Sequence, residues 1–265
     1  MGDRRGIVDG PVGRIAYRRL GSGRPLLLIN GYAATADDWD PGFLAALAGS
    51  RTVICPDNRG TGDSELGGEP VTIEAMAADA EALLEAVEID SAPVAGWSMG
   101  GFIAQELARR VPDRVEALVL LSTDPGGPHA IRCAPEIWAR LTDCRGTPRE
   151  QATRLIELMF PPGVAEAIDR DYGELVADAR RRLSPEALDA QQAAMHAWYA
   201  RDRDGTVATP ILAIAGELDR VIPPANAGLL AGRNGRAESI DGGGHAFMAQ
   251  EPARTAALIA EFLAR

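Results

Sequence analysis

The hydrophobic and polar positions of this 265-residue chain follow two alternating patterns. Short apolar runs, typical of strands buried on both faces of a sheet, recur along the chain. Stretches with apolar residues three and four positions apart, typical of amphipathic helices, separate most of these runs. This alternation indicates an α/β fold with a mostly parallel eight-stranded sheet flanked by helices. The predicted strands are a hairpin of 5–9 and 13–19, followed by 26–29, 52–55, 93–95, 117–121, 211–215 and 237–240.

Three helices are predicted most clearly from periodicity and end signals. Apolar residues recur at helical spacing from Ile73 to Val87, and Thr72 stands where an N-cap is expected. A second helical pattern covers 102–110, and a third runs from 256 to 263 behind Pro252, which suits a first turn.

Residues 124–208, called the inserted segment below, interrupt the alternation of strands and helices. Their pattern is helical, and the segment is too long to be a loop between two strands. We interpret it as a helical cap inserted after the sixth strand, with 1–123 and 209–265 forming the core. The segment also holds a large share of the aromatic residues, namely Trp138, Phe160, Trp198 and Tyr199.

The charge balance is acidic, with 27 Lys and Arg against 38 Asp and Glu, which gives a formal net charge of −11. Because the acidic residues are spread along the chain, we expect no nucleic-acid or membrane partner. The charge does not indicate the substrate, and a small-molecule substrate is expected from the candidate chemistry below. Cys55, Cys133 and Cys144 form no CxxC pair, which favours reduced thiols. A secretory signal and an apolar run of about 18 residues are both lacking, so we expect a cytoplasmic protein. The oligomeric state stays open, and a homo-oligomer is compatible with these features.

Gly96-Trp97-Ser98-Met99-Gly100 is the motif with the clearest chemistry. It follows a predicted strand and precedes a helix, and a serine in such a sharp turn presents its hydroxyl to solvent. The two glycines are needed because side chains there would collide within the turn. Ser98 is therefore the candidate nucleophile, and the Met99 amide is placed to bind a developing oxyanion.

A serine nucleophile needs a neighbouring base, and the chain has three histidines. His245 ends the run Gly242-Gly243-Gly244-His245, between the last predicted strand and the last helix, so it can reach the carboxyl edge of the sheet. His129 and His196 fall in the inserted segment, where contact with substrate or solvent is expected. His245 is therefore the candidate general base.

The residues alone leave three candidates for the carboxylate that orients the histidine. Asp219 follows the predicted strand 211–215 in a turn, and Asp124 follows 117–121. Both lie between Ser98 and His245 in the chain, so the order of residues does not separate them. Glu217 is a weaker third candidate.

The chain resembles the α/β-hydrolase family over nearly its whole length. The resemblance rests on Asn30-Gly31-Tyr32, 57–64 (DNRGTGDS), 96–101, 216–219 and Gly244-His245. It implies that Asp219, in the loop after the seventh strand, is the acid. It also implies that the Tyr32 amide is the second oxyanion donor beside Met99. Most relatives carry His-Gly where this chain has Asn30-Gly31. That histidine is usually structural, so the fold and the oxyanion hole are expected to survive with an altered polarity of the pocket.

The resemblance further implies a cofactor-free hydrolase of carboxylic esters or lactones, similar to capped esterases, enol-lactonases and non-haem bromoperoxidases. Carbon–carbon bond cleavage of ring-fission products and perhydrolysis use the same residues and stay open, as do a lyase, a cyclase or a binding protein. Dehalogenases and epoxide hydrolases are disfavoured because they carry Asp at the position of Ser98. No metal-ligand cluster or phosphate-binding motif is present in the sequence. The candidate substrate-binding residues are Asn30, Trp97, Trp138 and Trp198.

Overall fold

The computed structural model describes residues 2–201, 207–232 and 235–264. Its strands are β1 (Arg4–Asp9), β2 (Arg14–Gly21), β3 (Arg24–Ile29), β4 (Arg51–Pro56), β5 (Ala92–Trp97), β6 (Val115–Leu121), β7 (Ile211–Gly216) and β8 (Arg236–Ile240). Its helices are α1 (Pro41–Ala48), α2 (Ile73–Ala86), α3 (Met99–Arg110), α4 (Pro135–Leu141), α5 (Pro148–Met159), α6 (Pro162–Arg181), α7 (Pro185–Ala200), α8 (Ala225–Ala231), α9 (Phe247–Gln250) and α10 (Pro252–Phe262). Short 3₁₀ turns stand at Pro112–Arg114 and Gly127–His129.

The strands form a single sheet in the order β1-β2-β4-β3-β5-β6-β7-β8. β2 pairs antiparallel with both β1 and β4, and every later pair is parallel. The prediction of a mostly parallel eight-stranded sheet is therefore confirmed. Since parallel strands end at the same edge, the loops after β3, β5, β6, β7 and β8 meet along one side of the sheet.

The central strands are buried because their apolar side chains face helices on both sides. Leu26, Leu27 and Leu28 in β3 and Val94 and Ala95 in β5 have no exposed surface. α1 packs against α10, and α2 packs against α3, so the sheet lies between helical layers. This packing fixes the carboxyl edge of the sheet as a rigid base for the loops that follow the strands.

The starts of α2 and α3 can be compared with the positions that the sequence predicts. The N-cap at Thr72 is confirmed, since its side chain accepts a hydrogen bond from the Ala75 amide at 3.0 Å. α3 begins at Met99, three residues before the predicted start. The pair Gly100-Gly101 hides this first turn, because glycine has a low helix propensity and no side chain to show a pattern.

The described part of the inserted segment contains α4 to α7 and a 3₁₀ turn, in agreement with its helical pattern. α5 packs closely against α6, and Thr147 and Glu150 form a capping box at the start of α5. Residues 202–206 lie outside the described part of the chain. The division into a core and a separate cap stays a prediction.

No helix within residues 2–201, 207–232 and 235–264 is long and apolar enough to cross a membrane.

Cys55, Cys133 and Cys144 are free thiols, and burial raises the pKa of the Cys55 thiol far above its usual range.

Candidate active site

Ser98 lies in a strained turn between the last residue of β5 and the first residue of α3. Its backbone has φ 55° and ψ −121°, a combination that residues with a side chain rarely adopt. A side chain at Gly96 would overlap the carbonyl oxygen of Gly100, and one at Gly100 would overlap the carbonyl oxygen of Ile29. Glycine is therefore required at both positions, as the motif predicts.

Hydrogen bonds from the neighbouring strand hold this turn in place. The Ser98 amide donates to the Leu121 carbonyl at 2.9 Å, and the Thr123 hydroxyl donates to the Ser98 carbonyl at 2.8 Å. The Gly101 amide donates to the same carbonyl at 2.9 Å. Because its backbone is fixed from both sides, the Ser98 hydroxyl has a well-defined position at the carboxyl edge of the sheet.

His245 and Asp219 form a buried pair on the loops after β8 and β7. The His245 Nδ1 atom lies 2.8 Å from the Asp219 Oδ2 atom, and the two side chains are 2% and 0% exposed. The other carboxylate oxygen, Oδ1, accepts hydrogen bonds from the amides of Val221 and Ile222 at 2.8 and 2.9 Å. With Nδ1 engaged by the carboxylate, His245 has Nε2 left for proton transfer.

Trp97 connects the His245 loop with the turn that carries Ser98. Its indole Nε1–H donates to the His245 carbonyl at 2.9 Å, and the two ring centroids are 5.3 Å apart. Since Trp97 directly precedes Ser98, this contact connects the backbone of the His245 loop with the Ser98 turn. Trp97 was predicted to bind the substrate. The structure places it against His245, and it is not among the residues that line the cavity beside Ser98.

The other two candidate acids bond elsewhere. Asp124 accepts from the Tyr199 hydroxyl and from the Gly126 amide, both at 2.8 Å. Burial raises the pKa of Asp124 to about 6, although the Tyr199 hydrogen bond opposes this. Glu217 is exposed and accepts from the Gly242 amide at 2.9 Å. Of the three carboxylates, only Asp219 is hydrogen-bonded to His245.

Two backbone amides are free to bind an anion next to Ser98. In the part of the chain that the structure describes, the amides of Tyr32 and Met99 have no hydrogen-bond acceptor. A Cβ atom placed on Gly31 would lie 3.3 Å from the Ser98 Cβ, so the loop after β3 comes very close to the serine. The Met99 amide directly follows Ser98 in the chain, and the Tyr32 amide directly follows Gly31, whose loop approaches Ser98.

Asn30 is a structural anchor of that loop. It is 1% exposed, its Oδ1 accepts from the Gly31 amide at 3.0 Å, and its Nδ2 donates to the Thr35 carbonyl. Asn58 in turn donates to the Asn30 carbonyl at 2.8 Å. Asn30 thus fixes the path of the chain towards Tyr32, and its effect on the polarity of the pocket stays a prediction.

A small cavity, partly open to solvent, lies beside Ser98, with core residues on one side and the inserted segment on the other. Most of its wall is apolar, as in many sites for small molecules. The lining residues are Ser98, Phe102, Asp124, Ile131, Arg132, Cys133, Trp138, Leu141, Met195, Tyr199, Val221 and Ile222.

The predicted aromatic residues of the inserted segment take different places. Trp138 lines the cavity, whereas Trp198 is 1% exposed and stacks on Phe102 with a centroid distance of 5.3 Å. Trp198 thus lies in the packing between the inserted segment and α3. His196 packs against Trp138 at 5.1 Å. Arg132 and Cys133 also line the cavity, and the sequence did not predict them because neither belongs to a periodic pattern or a motif.

No group of three or more His, Cys, Asp or Glu side chains that could hold a metal ion comes together among the described residues.

Comparison with known proteins finds relatives over most of the chain. A sequence profile described as the alpha/beta hydrolase family matches residues 26–258. The "Putative carbamate hydrolase RutD" of Azorhizobium caulinodans is 30% identical over 241 residues, which cover 89% of each chain. The "Putative non-heme bromoperoxidase BpoC" of Mycobacterium tuberculosis is 41% identical over 110 residues, covering 41% of this chain and 42% of that protein.

Among solved structures, a thermophilic esterase from Thermogutta terrifontis, determined with malate bound, has a TM-score of 0.77. It is 26% identical to this chain, and the match covers 98% of both chains. The profile spans most of the sequence and the sheet has the order of strands described above, so the chain belongs to the alpha/beta hydrolase family.

Proposed function

We propose that the protein hydrolyses carboxylic esters or lactones through an acyl-enzyme formed on Ser98. The observation that carries this proposal is the buried hydrogen bond of 2.8 Å between His245 Nδ1 and Asp219 Oδ2, with the backbone of the His245 loop connected by Trp97 to the strained Ser98 turn. His245 acts as the general base and Asp219 as the acid that orients it. The amides of Tyr32 and Met99 form the oxyanion hole.

The reaction follows in two halves from these roles. Ser98 Oγ attacks the substrate carbonyl while His245 Nε2 takes its proton, and the carbonyl oxygen becomes an oxyanion bound by the two amides. The intermediate collapses, and His245 gives the proton to the leaving alcohol. Water then attacks the acyl-enzyme, with its proton going to His245. A second collapse releases the acid and returns the proton to Ser98.

In this proposal the inserted segment acts as a cap. Trp138 and Leu141 of α4 and Met195 of α7 face Ser98 across the cavity, which supports a role in selecting the substrate. The apolar wall favours a small molecule with a hydrophobic portion. A small-molecule substrate and a cytoplasmic location are both parts of this proposal.

The similarity to the carbamate hydrolase and to the thermophilic esterase supports chemistry at a carbonyl group. Carbamates and esters both pass through a tetrahedral oxyanion, so one nucleophile and one oxyanion hole serve either. We favour esters and lactones because their alcohol leaves more readily than an amine, and a carbamate belongs in the same substrate panel.

The test is labelling with a fluorophosphonate probe, followed by mass spectrometry of the labelled peptide. We expect one label on Ser98, no label in Ser98→Ala, and a strongly slowed reaction in His245→Ala. His129→Ala is the matched control, since His129 is exposed on a 3₁₀ turn. A folded protein without label, or with hydrolysis retained in Ser98→Ala, would reject the proposal. A panel of esters, lactones, carbamates and ring-fission products then identifies the preferred bond.

A further inference from the structure

Arg132 lies on the wall of the cavity beside Ser98, and it is the one arginine there among the described residues. Among the residues that the structure describes, no carboxylate lies within 4.0 Å of its guanidinium group to form an ion pair. Asp124 is near enough for the Arg132 charge to lower its pKa, but burial outweighs this effect. Both Asp124 oxygens are already bonded to Tyr199 and Gly126. The positive charge of Arg132 is thus left facing the cavity without a close counter-ion.

Aromatic rings hold the guanidinium group in place. Its Cζ atom lies 3.4 Å from the ring centroid of Tyr199 and 5.3 Å from that of Trp138. The two rings are in edge contact with each other at 6.3 Å. Cation–π contacts attract the flat face of a guanidinium group and leave its N–H groups free to donate along the edge.

The backbone beside Arg132 is fixed as well. Buried Asn226 accepts a hydrogen bond from the Ile131 amide and donates one to the Ile131 carbonyl, both at 2.9 Å. The Tyr199 hydroxyl is anchored to Asp124 at 2.8 Å, so the ring under Arg132 is fixed too. These contacts reduce the conformational entropy that Arg132 would lose when it binds a ligand.

Arg132 lines the cavity and is exposed to solvent, so a ligand can reach the edge of its guanidinium group. The edge of a guanidinium group matches the two oxygens of a carboxylate, which it binds through paired hydrogen bonds. We propose that Arg132 binds a carboxylate of the substrate, so that the preferred substrate is the hemiester of a dicarboxylic acid. This inference rests on the proposed function, since it names the substrate class of the same site.

The acidic character of the whole chain increases the need for a local cation at a site that binds an anionic substrate. A formal net charge of −11 repels anions at long range, so an anionic substrate needs a local cation to bind. Arg132 provides this cation at the wall that also contains Ser98.

The experiment compares monoethyl glutarate with ethyl pentanoate, which have acyl chains of equal length and differ in the terminal carboxylate. In the unaltered protein, kcat/KM is expected to favour the hemiester by about tenfold or more. Arg132→Gln should lower this ratio by about tenfold or more, Arg132→Lys less, and Arg132→Glu should reverse the preference. Arg170→Gln is the matched control, because Arg170 is an exposed residue of α6 paired with Asp171. An unchanged ratio in Arg132→Gln would overturn the inference.

A binding measurement separates this inference from the proposed function. Calorimetric titration with glutarate and with pentanoate reads binding without any turnover. We expect glutarate to bind more tightly than pentanoate, and Arg132→Gln to weaken glutarate binding by about tenfold or more. If no ester is hydrolysed and Ser98 is not labelled, the proposed function fails while this difference still supports the Arg132 site. Equal binding of the two acids would overturn the Arg132 site even where Ser98 is labelled.

Discussion

His245 Nδ1 lies 2.8 Å from Asp219 Oδ2, and neither side chain has more than 2% of its surface exposed. A carboxylate in this position fixes the ring with its proton on Nδ1 and steadies the positive charge that arises when Nε2 takes a second proton. Because the pair is shielded from water, the electrostatic interaction is stronger than it would be at the surface.

Replacing the carboxylate by an amide tests this pair directly. Asp219→Asn should lower kcat by about 10³- to 10⁴-fold, because the amide favours the wrong tautomer of His245. Asp124→Asn should lower kcat by less than about tenfold, since Asp124 bonds to Tyr199 and Gly126. Steady-state kinetics of both variants on one ester is the measurement. The opposite order of effects would identify Asp124 as the catalytic acid.

The strained backbone of Ser98 predicts an unusual effect of glycine on stability. At φ 55° and ψ −121°, glycine avoids the steric cost that serine and alanine bear, so Ser98→Gly should be more stable than Ser98→Ala by about 1 kcal/mol. Urea denaturation measures the free energy of unfolding of both variants. The control pair is Ser50→Gly and Ser50→Ala, since exposed Ser50 has no positive φ and the order should reverse there. Equal stability of the two Ser98 variants would contradict strain at this turn.

Loss of the Asn30 side chain should affect both stability and turnover. Asn30→Ala leaves the Gly31 amide and the Thr35 carbonyl without their partner, which costs about 1–3 kcal/mol. It should also lower kcat, because the loop that positions the Tyr32 amide is released. Thr52→Val is the control, as it removes a partly buried hydrogen bond to the Gly23 carbonyl at the far end of the sheet. If kcat per folded molecule falls equally in both variants, Asn30 does not position the oxyanion hole.

The raised pKa of Asp124 predicts a pH dependence of stability. With a pKa of about 6 in the folded chain against an ordinary value of 3.8, the folded state holds a proton that the unfolded state releases between these values. The contribution of Asp124 to the free energy of unfolding therefore falls as the pH rises through this window, by on the order of 3 kcal/mol. Asp124→Asn removes the titration and keeps the shape of the side chain.

The measurement is the difference in unfolding free energy between the unaltered protein and Asp124→Asn, followed from about pH 4 to about pH 7. The unaltered protein should lose stability relative to the variant as the pH rises. A flat difference would mean that Asp124 titrates near its ordinary pKa in the folded chain.

Local sequence determined the sheet, the α2 N-cap and the Ser98 turn. The apolar runs predicted the strands because burial on both faces demands them, and Gly96 and Gly100 marked the turn because nothing larger fits there. Each of these features depends on neighbours within a few positions in the chain. The sequence did not predict the first turn of α3, because its glycines have no side chains that could contribute to a periodic pattern.

Tertiary structure alone decided which side chains meet. Asp219 and Asp124 stand equally between Ser98 and His245 in the sequence, and only the packing of the loops after β7 and β8 brings Asp219 to the imidazole. Likewise, Trp138 lines the cavity while Trp198 stacks on Phe102, although both lie on helices of the inserted segment. Patterns along the chain report burial and local backbone shape, whereas pairing between distant side chains depends on how whole elements pack.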